Sequence, residues 1–319
     1  MSRKLLTLSL TATLMGGTAF ADVPRVAVDI APVHSLVARV MEGVGTPDLI
    51  IQPGASPHEY SLRPSEAAAL QNANLVFWIG SDLTPWLTGT IETLASDAAA
   101  TELLESDGTI ELEFRDGALF EAHDDHDDHE EEGHDDHDDQ EAGHEGHDHG
   151  SHDPHAWLSP KNAMTWLNVI AGQLSAADPD NAGAYFANAA AGRTEIETLI
   201  GEVTATLDPV RGGQFVVFHD AYQYFEADFD FPAAGAISIS DASDPSPARI
   251  AEIRGRIADQ GIDCVLAEPQ FNPGLVATVL DGTQAQTGIL DPLGSDLEPG
   301  PALYPQLIRN LSTALAGCI

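Results

Sequence analysis

The chain has 319 residues and a formal net charge of −38, with 51 acidic side chains against 13 basic ones. So acidic a surface repels phosphate backbones and anionic headgroups, which excludes nucleic acid and anionic membrane surfaces as partners, and it attracts cations. Hydrophobic content is ordinary at 43%, so a chain of this length can bury the core of one large domain or of two medium ones.

In chain order, the first segment reads as an export signal. Arg3 and Lys4 precede an apolar stretch over residues 5–15, and Ala19-Phe20-Ala21 supplies a small-x-small cleavage site. The apolar stretch is short for a bilayer span, and no Cys follows it to carry a lipid anchor. A cleaved signal peptide over residues 1–21 and a mature chain in the periplasm are expected. Residues 25–115 then alternate strand and helix patterns: strands over 25–30, 48–52 and 74–79, helices over 34–42, 64–72 and 83–94. Such alternation predicts parallel strands covered by helices.

Residues 121–152 break the pattern. His123, His126, His129, His134, His137, His144, His147 and His149 stand among Asp and Glu with almost no apolar side chain. Nothing there offsets the entropy of ordering, so the segment reads as a disordered insertion. Its acids serve solubility, but histidines interspersed with aspartates also hold zinc loosely, which makes these eight an auxiliary metal-binding set.

A helix over 161–176 follows, and then a longer one over 179–208. Asp178 suits its N-cap and Pro179 its first turn. Tyr185, Phe186, Ala189, Ile196, Leu199, Ile200, Val203 and Leu207 keep three-four spacing, and Pro209 stops it. At this length it would run roughly 40 Å. That suits a rigid connector between two lobes, although the pattern alone also fits a core helix of one domain. The α/β alternation then restarts, with strands over 214–218, 236–239, 263–267 and 287–290 and helices over 247–260, 273–280 and 304–316. The fold class is α/β: two lobes of parallel sheet flanked by helices, residues 22–178 and 209–319, joined by one long helix. Cys264 and Cys318 are the two cysteines, and in an oxidising compartment an isolated pair forms a disulfide, here tying the last helix to an internal strand.

Outside the acidic run the histidines are His34, His58, His152, His155 and His219. His58 follows the strand over 48–52, His219 follows the strand over 214–218, and His155 lies in Asp153-Pro154-His155-Ala156-Trp157 just before a helix. Open α/β sheets bind ligands beyond the carboxyl ends of their strands, so His58 and His219 are placed to face a crevice from the two halves. Imidazole nitrogens suit tetrahedral Zn²⁺, and three of them with one oxygen complete a site. A lone loop histidine is usually a surface or capping residue; three of them, each flanked by Pro, Gly or aromatics, weaken that reading for the set. His34 opens a helix and reads as a supporting or cap residue, and His152 as the last histidine of the acidic run.

The motifs Pro57-His58-Glu59-Tyr60-Ser61-Leu62-Arg63-Pro64-Ser65, Asp153-Pro154-His155-Ala156-Trp157-Leu158-Ser159-Pro160 and Phe218-His219-Asp220-Ala221-Tyr222-Gln223-Tyr224-Phe225 resemble the cluster A-I solute-binding proteins of ABC metal transporters, and within them the zinc-specific ZnuA type. Glu268-Pro269-Gln270-Phe271 and Leu290-Asp291-Pro292-Leu293-Gly294 extend the resemblance over essentially the whole mature chain. It implies two α/β lobes joined by a rigid helix, metal held between them, and a His-rich acidic loop before the second ligand motif. It implies His58, His155 and His219 as ligands, with Asp291 as the fourth candidate and water as the alternative. Manganese relatives carry Glu where His219 stands, and replacing carboxylate by imidazole moves preference from Mn²⁺ toward Zn²⁺. Glu59 neighbours a ligand and is a weaker candidate. The resemblance further implies zinc delivery by a monomer to the membrane permease of an ABC transporter, with a periplasmic zinc metallochaperone as a second candidate partner. A manganese or broad-specificity binder is the alternative within this class. A zinc hydrolase is the rival outside it, and the chain has no His-Glu-x-x-His helix, no His/Cys deaminase pattern and no Gly-x-Ser-x-Gly elbow to support that. A zinc buffer or adhesin working without a transporter is the third class.

Overall fold

The computed structural model describes residues 23–115, 152–238, 245–271 and 273–319. The expected signal peptide and the eight histidines from His123 to His149 lie outside them.

The first half runs β1 (Val26–Val28), α1 (Ala31–Val40), β2 (Asp48–Leu49), α2 (Pro64–Asn72), β3 (Leu75–Trp78), α3 (Pro85–Leu94) and β4 (Ala99–Glu102). Then come α4 (Pro160–Ala177) and the 26-residue α5 (Ala182–Leu207). The second half runs β5 (Phe215–His219), α6 (Gln223–Phe229), β6 (Gly235–Ser238), α7 (Pro247–Gln260), β7 (Cys264–Ala267), α8 (Pro273–Leu280), β8 (Gln286–Ile289) and α9 (Leu303–Cys318). Each half builds a four-stranded sheet, ordered β2-β1-β3-β4 and β6-β5-β7-β8, and every pairing is parallel. The two sheets therefore share one topology, although no sequence repeat announces it. In each, the order reverses between the first and third strands of the half, and that is where a crevice opens at the carboxyl ends.

The inner strands are apolar throughout and fully buried, as strands covered on both faces must be: Leu75-Val76-Phe77-Trp78 in β3 and Phe215-Val216-Val217-Phe218 in β5. β4 reads Ala-Ala-Thr-Glu and is half exposed; it needs apolar side chains less because it pairs on one edge only. The short α6 and β4 are the two elements that hydrophobic periodicity did not predict.

α5 is the expected long helix, entered through a 3-10 turn at Pro179–Asn181 and left through another at Asp208–Val210. It is no bare strut. Tyr185, Ala189, Gly192, Ile196, Leu199, Val203 and Leu207 form a buried stripe against α1, α4 and α9, so it lies along both halves. Gly192 permits the close approach to α4, since a Cβ there would stand 3.0 Å from Leu167 Cδ1. Asp178 takes the N-cap position of the entering 3-10 turn, with Pro179 next, as expected; its Oδ2 accepts from the Tyr185 hydroxyl at 2.8 Å and the Asn181 amide at 2.7 Å. α9 returns to the first half, where the Tyr304 N–H donates to Ser35 Oγ at 2.9 Å. Cys264 at the start of β7 is bonded to Cys318 at the end of α9, with Cα atoms 5.7 Å apart.

Candidate metal centre

His219 is the last residue of β5, and Glu268 is the first residue after β7. The two strands are neighbours in the sheet, so the two side chains meet at the reversal of strand order. His219 Nδ1 lies 2.6 Å from Glu268 Oε1, and both residues are buried. His155 precedes the 3-10 turn Ala156–Leu158 that leads into α4. Its Nδ1 lies 2.7 Å from Asp153 Oδ1, which also accepts its backbone N–H at 3.0 Å. A carboxylate on Nδ1 fixes the same tautomer on each ring: the proton sits on Nδ1, and Nε2 presents a lone pair.

Those two Nε2 atoms face each other at 3.4 Å. Two lone pairs at that distance repel unless a cation lies between them. Ligands at 2.0–2.1 Å on a tetrahedral ion stand about 3.4 Å apart, which is the same spacing. The ring centroids of His155 and His219 are 5.2 Å apart, and those of His58 and His155 are 5.7 Å apart. Rings sharing one tetrahedral zinc would have centroids about 5 Å apart, so His58 stands slightly back from the other two. Among the described residues no group of three or more His, Cys, Asp or Glu side chains stands, as placed, so that it could hold a metal ion.

The backbone that carries His58 is held by hydrogen bonds on both sides of Pro57. Trp86 in α3 donates its indole N–H to Pro57 O at 2.8 Å, and Ser56 Oγ accepts the His58 N–H at 3.3 Å. Glu59 is exposed. Around the three imidazoles the pocket is walled by Trp157, Glu268, Gln270, Phe271, Pro292 and Leu293. Trp157 donates its indole N–H to Pro292 O at 2.8 Å, which joins the His155 segment to the far wall. Phe271 stacks on Phe218 with centroids 4.2 Å apart and sets its ring against His219 at 5.5 Å.

Asp291 is not among the residues lining that pocket. Its Oδ1 accepts the backbone N–H groups of Leu293 and Gly294, both at 3.0 Å, and its Oδ2 accepts that of Ser295 at 2.6 Å. Gln270 adds its amide at 3.3 Å. The carboxylate organises the turn that forms one wall. His34 lies inside α1 rather than opening it, buried, with Nε2 3.1 Å from Pro47 O, and burial lowers its pKa. His152 lies 3.6 Å from Glu111, and its residue forms a β-bridge with Glu113.

Buried carboxylates outnumber cations here. Asp153 is pushed up to about 7, first by burial, against the opposing pull of the His155 N–H and the Arg115 charge. Burial also raises Glu268, against His219, and raises Asp220 and Glu226, against Arg115. Arg115 offsets Asp153, Asp220 and Glu226, and Glu268 faces His219, so a divalent cation improves the balance of these four buried carboxylates. Sequence reasoning passed over Asp153, Glu268 and Arg115 as supports. The signal was present for two of them: Asp153 precedes His155 by two residues in a turn, and Glu268 follows β7 as His219 ends β5.

Comparison with known proteins places the chain in a family. The family described as "Zinc-uptake complex component A periplasmic", ZnuA, matches residues 26–318. The high-affinity zinc uptake system protein ZnuA of Brucella abortus (strain 2308) is 47% identical over 318 residues, covering 97% of this chain and 95% of that protein. A crystal structure of ZnuA superposes with a TM-score of 0.73 at 20% identity, over 93% of this chain and 99% of the other. The SBP FpvC from Pseudomonas aeruginosa in complex with Mn²⁺ superposes equally well, with a TM-score of 0.74 at 18% identity, over 93% and 98% of the two chains. At such identities these likenesses speak for the fold alone, and the fold does not select the metal. Among the described residues no helix is long and apolar enough to cross a membrane.

Proposed function

This chain belongs to the ZnuA family of periplasmic zinc-uptake components, and on that premise we propose that it captures Zn²⁺ between its two lobes and delivers it to the permease of an ABC transporter. The observation that carries this reading is the pair of Nε2 atoms of His155 and His219, 3.4 Å apart, each ring fixed from behind by a buried carboxylate. His58 completes a three-nitrogen face when its loop moves in by a fraction of the present spacing. Water takes the fourth position, because moving Asp291 to the ion would strip acceptors from three backbone N–H groups. Nitrogen donors favour Zn²⁺ over Mn²⁺, which prefers oxygen.

The rest of the reading follows from that site. The signal peptide over residues 1–21 is removed on export, and the mature protein acts as a monomer. Residues 22–178 and 209–319 form the lobes, and the helix over 179–208 limits their closure to a small tilt plus ordering of the His58 loop. The histidines from His123 to His149 collect zinc loosely, the cleft holds it tightly, and docking on the permease loosens one ligand loop. A periplasmic zinc metallochaperone is a second partner to test.

Competition between Zn²⁺ and Mn²⁺ at pH 7 tests the assignment, using the wild type and the single variants His58→Ala, His155→Ala and His219→Ala. The wild type should keep one tightly held Zn²⁺ against excess Mn²⁺, and each variant should lose it. Displacement by manganese in the wild type, or undiminished tight zinc in the variants, refutes it.

A further inference from the structure

Arg115 is the last described residue before the segment 116–151, and it belongs to the first half of the chain. Its guanidinium binds two carboxylates of the second half at once. Nε donates to Asp220 Oδ2 at 3.1 Å and Nη2 donates to Asp220 Oδ1; Nη1 donates to Glu226 Oε2 at 2.7 Å and Nη2 to Glu226 Oε1 at 3.2 Å. All three side chains are largely buried, at 18%, 9% and 6% exposure for Arg115, Asp220 and Glu226.

The placement of this fork matters more than its strength. Asp220 is bonded along the backbone to His219. Arg115 lies three residues beyond Leu112, whose carbonyl accepts the Asp153 N–H at 2.8 Å, and Asp153 orients His155. Tyr224 in α6 closes the same circuit, with its hydroxyl accepting the Leu112 N–H at 2.9 Å and donating to Asp153 O at 2.8 Å. A continuous path of short bonds therefore runs from the His155 segment through residues 112–115 to the turn that leaves His219. The 3.4 Å separation of the two imidazole nitrogens, which lie on different halves, is held at the end of this path.

We propose that Arg115 is a positioning residue for the metal site, fixing the His219 turn against the His155 segment so that their nitrogens keep a tetrahedral spacing; this rests on the zinc reading of those histidines. The sign of its effect separates positioning from plain electrostatics. Removing a positive charge beside the site, by itself, strengthens attraction for Zn²⁺. Loss of alignment weakens it, and outer partners of metal ligands are typically worth about 10- to 100-fold in affinity. Lysine keeps the charge but cannot fork to two carboxylates, so it restores alignment only in part.

The test uses the full chain, loaded with Co²⁺ or Zn²⁺ and passed over a weak chelating resin to strip loosely held ions. The wild type should retain one ion, with the visible spectrum of tetrahedral cobalt, and His219→Ala should lose it; failure of this pair refutes the zinc reading before Arg115 is in question. Given that pair, Arg115→Met should still retain the ion, with a weakened and shifted cobalt band and a release rate to excess chelator raised about 10- to 100-fold. Arg115→Lys should fall between the two, and Lys161→Met, which breaks an ion pair to Asp228 of 2.9 Å elsewhere, should match the wild type. Either Arg115 variant, folded by circular dichroism, with the wild-type spectrum and release rate overturns the proposal. Arg115→Lys carries the test should Arg115→Met fail to fold.

Discussion

His219 and Glu268 are 49 residues apart in sequence and 2.6 Å apart in space, joined Nδ1 to Oε1 at the carboxyl ends of adjacent strands. The sheet order puts them together, since β5 and β7 are neighbours although β6 lies between them in the chain. Glu268 also accepts the His219 backbone N–H at 3.3 Å, so a single carboxylate sets both the ring and the main chain of that residue.

The first prediction concerns that carboxylate. Glu268→Gln keeps an oxygen for the Nδ1 proton but removes the charge that makes Nε2 a better donor. Zinc affinity should fall by about tenfold or more, with stoichiometry unchanged. A competition titration against a chelator of known affinity checks this; equal affinity in the two proteins would show that the charge on Glu268 contributes nothing to the site.

Much of this arrangement was legible in the chain itself. The bounds of α2, α7 and α8 agree with the pattern of their apolar residues and their leading prolines. That His58 and His219 stand on the carboxyl-end side of their sheets, His58 after β2 and His219 as the last residue of β5, follows from the α/β rule alone. Other features were hidden for physical reasons. β4 has no apolar signature, because an edge strand of Ala-Ala-Thr-Glu is held by backbone pairing. α6 has 7 residues, too few for periodicity to show, and it ends where Asp230 turns left-handed at φ 49°. Arg115 reads as a stray basic residue beside an acidic tract; only the contact with Asp220 and Glu226 across the halves gives it a role.

The second prediction concerns pH and a residue outside the metal centre. Asp29 follows β1, accepts the N–H groups of Ile30 at 2.7 Å and Ile79 at 2.8 Å, and is pushed up to about 7 by burial. Its folded pKa lies above its unfolded one, so the folded state binds the extra proton between about pH 4 and 7. Its contribution to stability is therefore most favourable below pH 4 and is lost as pH rises through 7, over a range of up to about 4 kcal/mol. Asp29→Asn has no such group. The stability of wild type minus variant, from denaturant unfolding of metal-free protein, should fall as pH rises from 4 to 7 and then level off. Other titrating groups, Asp153 included, cancel in the difference. A flat difference would place the folded pKa of Asp29 at its ordinary value.

The third prediction separates stability from binding. The disulfide between Cys264 and Cys318 closes a loop with a sequence separation of 54, worth about 4 kcal/mol on the chain-entropy account. Cys264 lies at the amino end of β7, whereas Glu268 follows its carboxyl end, so the bond braces the sheet at the side away from the metal pocket. Replacing both cysteines by serine should lower the denaturation midpoint of metal-free protein markedly and leave one tightly held zinc ion. Zinc loss from a double variant that is still folded would mean that the bond sets the site and not only the stability.

The fourth prediction decides what Asp291 does. Its two oxygens take three consecutive turn N–H groups at 2.6–3.0 Å, an arrangement that satisfies the turn and positions Pro292 and Leu293 as a wall of the pocket. Asp291→Ala leaves those N–H groups without their acceptor, at a cost of about 1–3 kcal/mol for each one that stays buried. If water is the fourth ligand, the variant should be thermally weaker and bind zinc with at most a modest loss through the loosened wall, and its cobalt spectrum should remain tetrahedral with unchanged band positions. If Asp291 leaves the turn to ligate the ion, Asp291→Ala replaces a carboxylate by solvent, the cobalt bands shift, and affinity drops far more than stability does. Because Asp291→Asn keeps an acceptor for the turn while weakening any metal bond, it should recover most of the lost stability in the first case and little of the lost affinity in the second. Measured together, melting temperature and cobalt spectrum in the two variants separate a residue that shapes the wall from one that touches the ion.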